Sequence, residues 1–215
     1  YERSASLSPP AVKEFVIQLC MVSRAELSVG NNEQTDLNQV AYRQKHALLN
    51  SNSHAQPGDQ FHHTQPNIYN LQKLVEVTHY NMASRPRTLF ADLWVTVADH
   101  LTYTALNSNQ AIALYAVDSF RQLSIQYLRR DELEVFEFQR RFLKPLETVM
   151  AQSKQSSTKE LLLNCVARLM HVFGASSDND QKPKGGLKSG WVPILTILGL
   201  GGRDADKSIA EMSFN

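Results

Sequence analysis

Apolar residues recur at helical spacing along most of this 215-residue chain, and this periodicity constrains the fold more than any other feature. In 70–81 and in 113–124, for example, apolar positions three and four residues apart form one face of an amphipathic helix. Valine, isoleucine and aromatic residues nowhere alternate with polar residues over a full strand length between turn signals. The sequence therefore predicts an all-α fold.

Successive stripes are separated by residues that typically start or end helices. Ser157 and Glu160 have the spacing of a capping box, and Ser189 is a hydroxyl cap for the helix that follows it. Pro145 lies within a stripe and predicts a kink or a break there. The expected helices span about 9–30, 68–82, 89–107, 112–127, 138–149, 157–173, 191–199 and 204–214, with shorter ones at 36–49 and after Asp131.

Paired stripes recur at a spacing typical of stacked helix hairpins. Ile112, Leu162 and Ile209 occupy a buried position in the second helix of three hairpins, and they are 50 and 47 residues apart. Repeats of HEAT or armadillo type run ~40–47 residues, and a lone hairpin would leave one apolar face uncovered. We therefore expect stacked antiparallel helix hairpins in a HEAT/armadillo-like superhelix, as a single helical-repeat domain over residues 9–215.

Two polar segments interrupt the helical pattern. Residues 31–66 are dominated by Asn, Gln, Ser and His, and the stretch from 50 onward has too little apolar surface to order itself. A connection of this length is an insertion between packed helices. Residues 176–188 are rich in Gly, Lys and Asp. We expect 31–66 to be a partly disordered insertion and 176–188 to be a flexible loop.

Net charge and cysteine usage argue against several classes of protein. The formal net charge is +1, whereas nucleic-acid-binding domains usually carry a basic excess, so we expect no nucleic-acid partner. Cys20 and Cys165 are expected to be buried reduced thiols, which suits the cytosol. The longest apolar run, 191–200, is too short to span a bilayer. The chain lacks an initial methionine and ends inside a helical pattern, so we expect a piece of a longer protein.

Histidines and glycines do not form a recognisable catalytic or metal-binding arrangement. A zinc site needs three or four ligands in fixed tetrahedral geometry, whereas one histidine cluster is irregularly spaced in the polar segment. Its members are His46, His54, His62 and His63. The remaining three, expected on helix surfaces, are His79, His100 and His171. The glycines of 199–202 lack the Lys-Ser/Thr of a phosphate loop and suit a helix end. We expect no enzymatic activity, no cofactor and no metal site.

Basic residues provide the candidate contact surface. They lie at the end of one predicted helix and within the next, where they would form a modest cationic face for anionic lipid or an acidic partner. The alternative is that they are ordinary solvated residues at helix ends. The candidates are Arg129, Arg130, Arg140, Arg141 and Lys144.

Four sequence blocks resemble a known family. They are IYNLQKLVE at 68–76, ALYAVDSFRQLS at 113–124, FQRRFLKPLE at 138–147 and SGW at 189–191. Together they are similar to the large Arf guanine-nucleotide exchange factors of the trans-Golgi, the BIG type. The matching region is the first homology domain downstream of the catalytic exchange domain, and it covers most of 9–30 and 67–215. The segments 31–66 and 176–188 depart from the family pattern.

The resemblance implies a non-catalytic regulatory domain in Golgi membrane traffic, which contributes to autoinhibition and to recruitment by activated Arf GTPase. The implied partners are an activated Arf-family GTPase, the anionic Golgi membrane surface and other domains of the same exchange factor. The implied location is the cytosol and the peripheral trans-Golgi membrane. The alternative is a purely structural helical spacer that packs against neighbouring domains of its own chain. No family motif identifies the residues that contact the GTPase or the membrane, so the five basic residues are candidates on the basis of their charge alone.

Overall fold

The computed structural model describes residues 1–30, 66–130, 137–174 and 186–214, and within them every regular element is a helix. This confirms the predicted all-α fold. A 3-10 helix over Glu2–Ser6 precedes eight α-helices in the described ranges. They are α1 Pro9–Gly30, α2 Tyr69–Ser84, α3 Arg87–Ala105, α4 Gln110–Leu128, α5 Phe138–Gln152, α6 Ser156–Phe173, α7 Trp191–Gly201 and α8 Lys207–Met212. The short helices expected at 36–49 and after Asp131, and the two polar segments apart from Pro66 and 186–188, lie outside the described residues.

The helices pack in two layers. Helices α1, α3, α5 and α7 contact one another in that order, and α2, α4, α6 and α8 do the same. Each odd-numbered helix also contacts the even-numbered helix that follows it. The connections from α3 to α4 and from α5 to α6 are short, which makes those neighbours antiparallel. The described chain is thus a stack of helix hairpins, and the superhelical form stays a prediction.

Hydrogen bonds between neighbouring hairpins join residues about one repeat apart. The indole Nε1 of Trp94 donates to the carbonyl of Phe142, 48 residues later, at 3.2 Å. The amide Nε2 of Gln110 donates to Ser157 Oγ, 47 residues later, at 2.6 Å. The three repeat positions found in the sequence are all fully buried: Ile112, Leu162 and Ile209. The sequence period therefore corresponds to the step between stacked hairpins.

A stack of aromatic rings joins α3, α4 and α5. The ring of Phe142 lies between those of Trp94 and Tyr127, with centroids 3.9 Å and 4.1 Å away and nearly parallel planes. Phe90 contacts the same group, and all four side chains are buried. Aromatic pairs contribute about 0.5–1.5 kcal/mol each beyond the area they bury. This cluster therefore holds two consecutive hairpins together at the centre of the chain.

Helix α5 continues through Pro145. The helix runs without interruption from Phe138 to Gln152, so of the predicted kink or break the break is wrong and the kink stays a prediction. A proline inside a helix removes one backbone hydrogen bond and disfavours the helix by about 3 kcal/mol. Phe142 and Leu146, on either side of the proline, are almost fully buried. The packing of this apolar face offsets the local penalty of the proline.

Two serines predicted to cap their own helices bond to neighbouring helices instead. Helix α6 starts at Ser156 after Gln155, without a side-chain cap, so Ser157 lies inside the first turn and the predicted capping box is wrong. Helix α7 has Gly190 at its N-cap, and Ser189 Oγ accepts from the backbone N–H of Arg140 at 3.1 Å, in the first turn of α5. Both hydroxyls thus link hairpins.

His100 is a core residue, which corrects the prediction that it lies on a helix surface. Its side chain is fully buried, and its Nε2 lies 3.0 Å from Ser23 Oγ on α1. Its Nδ1 accepts from Arg24 Nε at 3.4 Å. Burial, and secondarily the charge of Arg24, lowers the pKa of His100 to about 4, so the ring is neutral at pH 7. His79 and His171 are exposed, as predicted.

Both cysteines are buried free thiols, as predicted. Burial raises the pKa of Cys20 and of Cys165 to about 12 in each case. Because the thiolate is the reactive form, both side chains behave as small apolar core residues at neutral pH.

Candidate partner-binding surface

Exposed apolar side chains are concentrated on one layer of the stack. In the described α-helices, the odd-numbered layer carries most of the large apolar residues that remain exposed to solvent. These are Met21 and Val22 on α1, Leu89, Val95 and Tyr103 on α3, and Val192 and Leu195 on α7. The even-numbered layer carries only Tyr69 among its described residues. In the described chain, the odd-numbered layer therefore leaves more large apolar side chains in water than the even-numbered layer.

A groove runs along this layer between α3 and α5. Its volume is about 390 Å³. Five buried aromatic residues line it: Phe90, Trp94, Tyr127, Phe138 and Phe142. Val95, 61% exposed, and Pro145 form apolar walls on opposite sides. The aromatic stack that joins two hairpins therefore also forms the bottom of this open, largely apolar groove.

The two rims of the groove carry opposite charge. Asp92 and Asp99 lie on the α3 side, while Arg141 and Lys144 lie on the α5 side. All four are exposed, and in the described part of the chain none has an ion pair or a side-chain hydrogen bond. Their charges are therefore available to a molecule that occupies the groove.

The five predicted basic residues differ in exposure and in their partners. Arg141 and Lys144 come together on the groove, and Arg129 is exposed at the end of α4. Arg140 is paired with Glu137 at 3.0 Å, an exposed ion pair that contributes little to stability. Arg130 is half-buried and donates from Nη1 to the carbonyl of Met82 at 2.9 Å, so it satisfies the C-terminal turn of α2.

Sequence reasoning missed the acidic rim and the exposed Val95. Asp92 and Asp99 are seven residues apart, which places them on one face of a helix, so the spacing was visible in the sequence. Nothing in the sequence showed that α5 lies beside α3, and only that packing turns two separate faces into one groove. The histidine cluster of the polar segment lies outside the described residues.

The described residues provide neither a metal site nor a helix that could span a membrane. They contain no group of three or more His, Cys, Asp or Glu side chains placed to hold a metal ion. None of their helices combines the length and the apolar character needed to cross a bilayer. The surface has an apolar groove with charged rims, which is suited to binding another molecule.

Comparison with known proteins finds one matching family model and several similar proteins. Residues 126–215 match the family model described as Mon2/Sec7/BIG1-like, HDS. Brefeldin A-inhibited guanine nucleotide-exchange protein 1 of Homo sapiens is 34% identical over 70% of this chain and 8% of its own length. Protein 3 of the same name in Arabidopsis thaliana is 31% identical over 100% of this chain and 10% of its own length.

A fungal relative gives the same result. The ADP-ribosylation factor guanine nucleotide-exchange factor sec72 of Schizosaccharomyces pombe is 31% identical over 100% of this chain and 10% of its own length. The chain thus spans about a tenth of the length of these relatives.

Proposed function

This chain belongs to the BIG-type family of Arf guanine nucleotide-exchange proteins, with its HDS region at residues 126–215, and on that premise we propose that it is a non-catalytic regulatory domain. In this proposal it helps to restrain exchange in the free protein and helps an activated Arf-family GTPase to recruit the protein to an anionic Golgi membrane. The protein would move between the cytosol and the peripheral trans-Golgi membrane.

One observation carries the proposal: Arg141 and Lys144 are exposed without ion partners in the described chain, on the rim of an apolar groove. A basic residue close to an anionic lipid surface contributes about 1 kcal/mol to binding. The apolar channel beside these residues offers area for a protein partner to bury. The same rim therefore suits an activated GTPase that is itself held at a membrane.

Linkage supplies the mechanism. If the domain packs against other domains of its protein in the restrained state and against the GTPase in the released state, GTPase binding shifts the population toward release. The shift equals the difference in binding free energy between the two states, and couplings of this kind are typically 1–3 kcal/mol. No group in the described residues has to perform chemistry for this to work.

Charge reversal at the groove tests this function in the whole exchange protein. We expect R141E/K144E to weaken binding to liposomes of 30% anionic lipid carrying GTP-loaded Arf by at least about 30-fold, because two favourable contributions of about 1 kcal/mol are lost and then reversed. Arg130 stays unchanged because its guanidinium is bonded to α2. The matched control is R168E/K207E, which reverses two exposed basic residues on α6 and α8 of the other layer.

The structural spacer is the second candidate, since a stack of hairpins with apolar residues on one outer face also suits packing within a longer chain. A spacer predicts that R141E/K144E and R168E/K207E bind these liposomes as well as the unaltered protein. Equal, strong loss in both variants would indicate a general charge effect and would contradict a contact at the groove.

A further inference from the structure

We propose that the groove between α3 and α5 binds an amphipathic α-helix of a partner protein, with acidic residues along one flank of its apolar stripe and basic residues along the other. This inference goes beyond recruitment by a GTPase and a membrane. It specifies a protein helix as the occupant and fixes its charge pattern, whichever partner supplies the helix.

The dimensions of the groove suit a short helical segment. Its α3 wall extends from Phe90 to Thr102 and its α5 wall from Phe138 to Thr148. At 1.5 Å per residue these walls are about 15–18 Å long, which matches three turns of an α-helix. Three turns present apolar side chains at positions i, i+3 or i+4, and i+7, which is the pattern that fills such a channel in helix-in-groove recognition.

The chemistry of the walls favours a helix over an extended peptide. Both walls are α-helices, so their backbone groups are bonded internally and offer no edge for an added strand. The only indole of the groove, that of Trp94, is 4% exposed and donates its N–H to the carbonyl of Phe142. It is therefore not available to a proline-rich ligand. A helix needs no backbone partner and binds through its side chains.

The charged rims determine which helix fits. Asp92 and Asp99 are two turns apart on α3, so they face a basic flank at both ends of the segment. Arg141 and Lys144 are one turn apart on α5 and face an acidic flank. A helix with lysines on both flanks, or glutamates on both, would place like charges against one rim, which lowers affinity and gives specificity.

A second copy of this chain does not supply such a helix from its described residues. Val192 and Leu195 are exposed apolar residues three positions apart, as a helix stripe requires. They lie on α7, however, which has no charged residue. Met21 and Val22 are adjacent in sequence, so they point about 100° apart and do not form a stripe. We therefore assign the groove to a different protein.

Three synthetic peptides of equal length test the proposal by fluorescence anisotropy with the whole chain. Each has the same stripe of leucines at i, i+4 and i+7 on a helix-forming background. The first carries lysines on one flank and glutamates on the other, the second lysines on both, and the third glutamates on both. We expect the mixed peptide to bind at least ten times more tightly than either single-sign peptide at low salt.

Two variants test where the peptide binds and how its binding depends on the charge of the rims. Val95→Gln keeps a helix-forming residue at an exposed site and should weaken the mixed peptide about tenfold, because part of the apolar wall is lost. R141E/K144E makes both rims acidic and should reverse the preference, so that the lysine peptide binds most tightly. The control R168E/K207E should leave the order of the three peptides unchanged. Circular dichroism confirms that each variant is folded.

Several outcomes would overturn the proposal. One is equal binding of all three peptides, and another is no binding of any of them. Unchanged affinity in Val95→Gln would place binding elsewhere, and concentration-dependent dimerisation lost in Val95→Gln would identify a second copy as the occupant. The proposed function fails separately, because binding to liposomes that carry GTP-loaded Arf is measured without the peptides and does not require a preference for the mixed peptide.

Discussion

Replacing Phe142 with alanine is expected to lower the free energy of unfolding by about 3–5 kcal/mol. Its ring lies between those of Trp94 and Tyr127 at 3.9 Å and 4.1 Å and is 2% exposed, so truncation leaves a cavity between two hairpins. The surrounding helices close such a cavity only in part. Urea unfolding followed by circular dichroism at pH 7.5 measures the change.

Phe142→Leu is the matched control for this prediction. It retains most of the buried apolar volume but loses the ring stacking, so we expect a loss of about 1–2 kcal/mol. A loss below about 1 kcal/mol in Phe142→Ala would show that the aromatic stack does not hold the hairpins together. A change in the slope of unfolding against urea would indicate that the hairpins unfold independently.

Acidification from pH 8 to pH 5 is expected to lower the free energy of unfolding by about 2 kcal/mol through His100 alone. The pKa of His100 is lowered to about 4 by burial, against 6.5 for an unperturbed histidine. Below pH 6.5 the imidazole of His100 binds a proton in the unfolded chain but stays neutral in the folded chain. The stability is therefore complete above pH 6.5 and is lost progressively as the pH falls toward 4.

Urea unfolding at several pH values with two histidine variants isolates this effect. His100→Gln removes the titrating ring, so its stability should vary less between pH 8 and pH 5 than that of the unaltered chain. His79→Gln removes an exposed histidine and should keep the full dependence. The pKa values of Asp204 and Asp206 are lowered, first by hydrogen bonds from Lys159 and Ser156, so these groups titrate below this range. An equal pH dependence in both variants would contradict the assignment to His100.

The helices and the repeat could be predicted from the sequence because buried residues recur at regular spacing along it. The stripes around Ile112 and Leu162 predicted both the helices and the step between hairpins. His100 was misjudged because its residue type was weighed above its position. It lies three residues after Val97 and seven after Leu93, which places it on the buried stripe of α3.

The candidate site was less predictable, because it depends on contacts between helices. Arg141 and Lys144 could be chosen from charge, but their role on a groove requires α3 beside them. Arg130 looked equivalent in the sequence, and only the position of the Met82 carbonyl shows that it completes a helix end. Ser189 likewise bonds to α5 because that turn lies within reach, which its own sequence neighbourhood does not reveal.

In the proposed function, this domain contacts an activated Arf-family GTPase at an anionic membrane. Liposome flotation of the isolated chain with GTP-loaded and GDP-loaded Arf tests it most directly. The account predicts that the chain floats with GTP-loaded Arf at least ten times more strongly than with GDP-loaded Arf, and that R141E/K144E removes most of that difference. Equal flotation with both nucleotide states, or none with either, would contradict it.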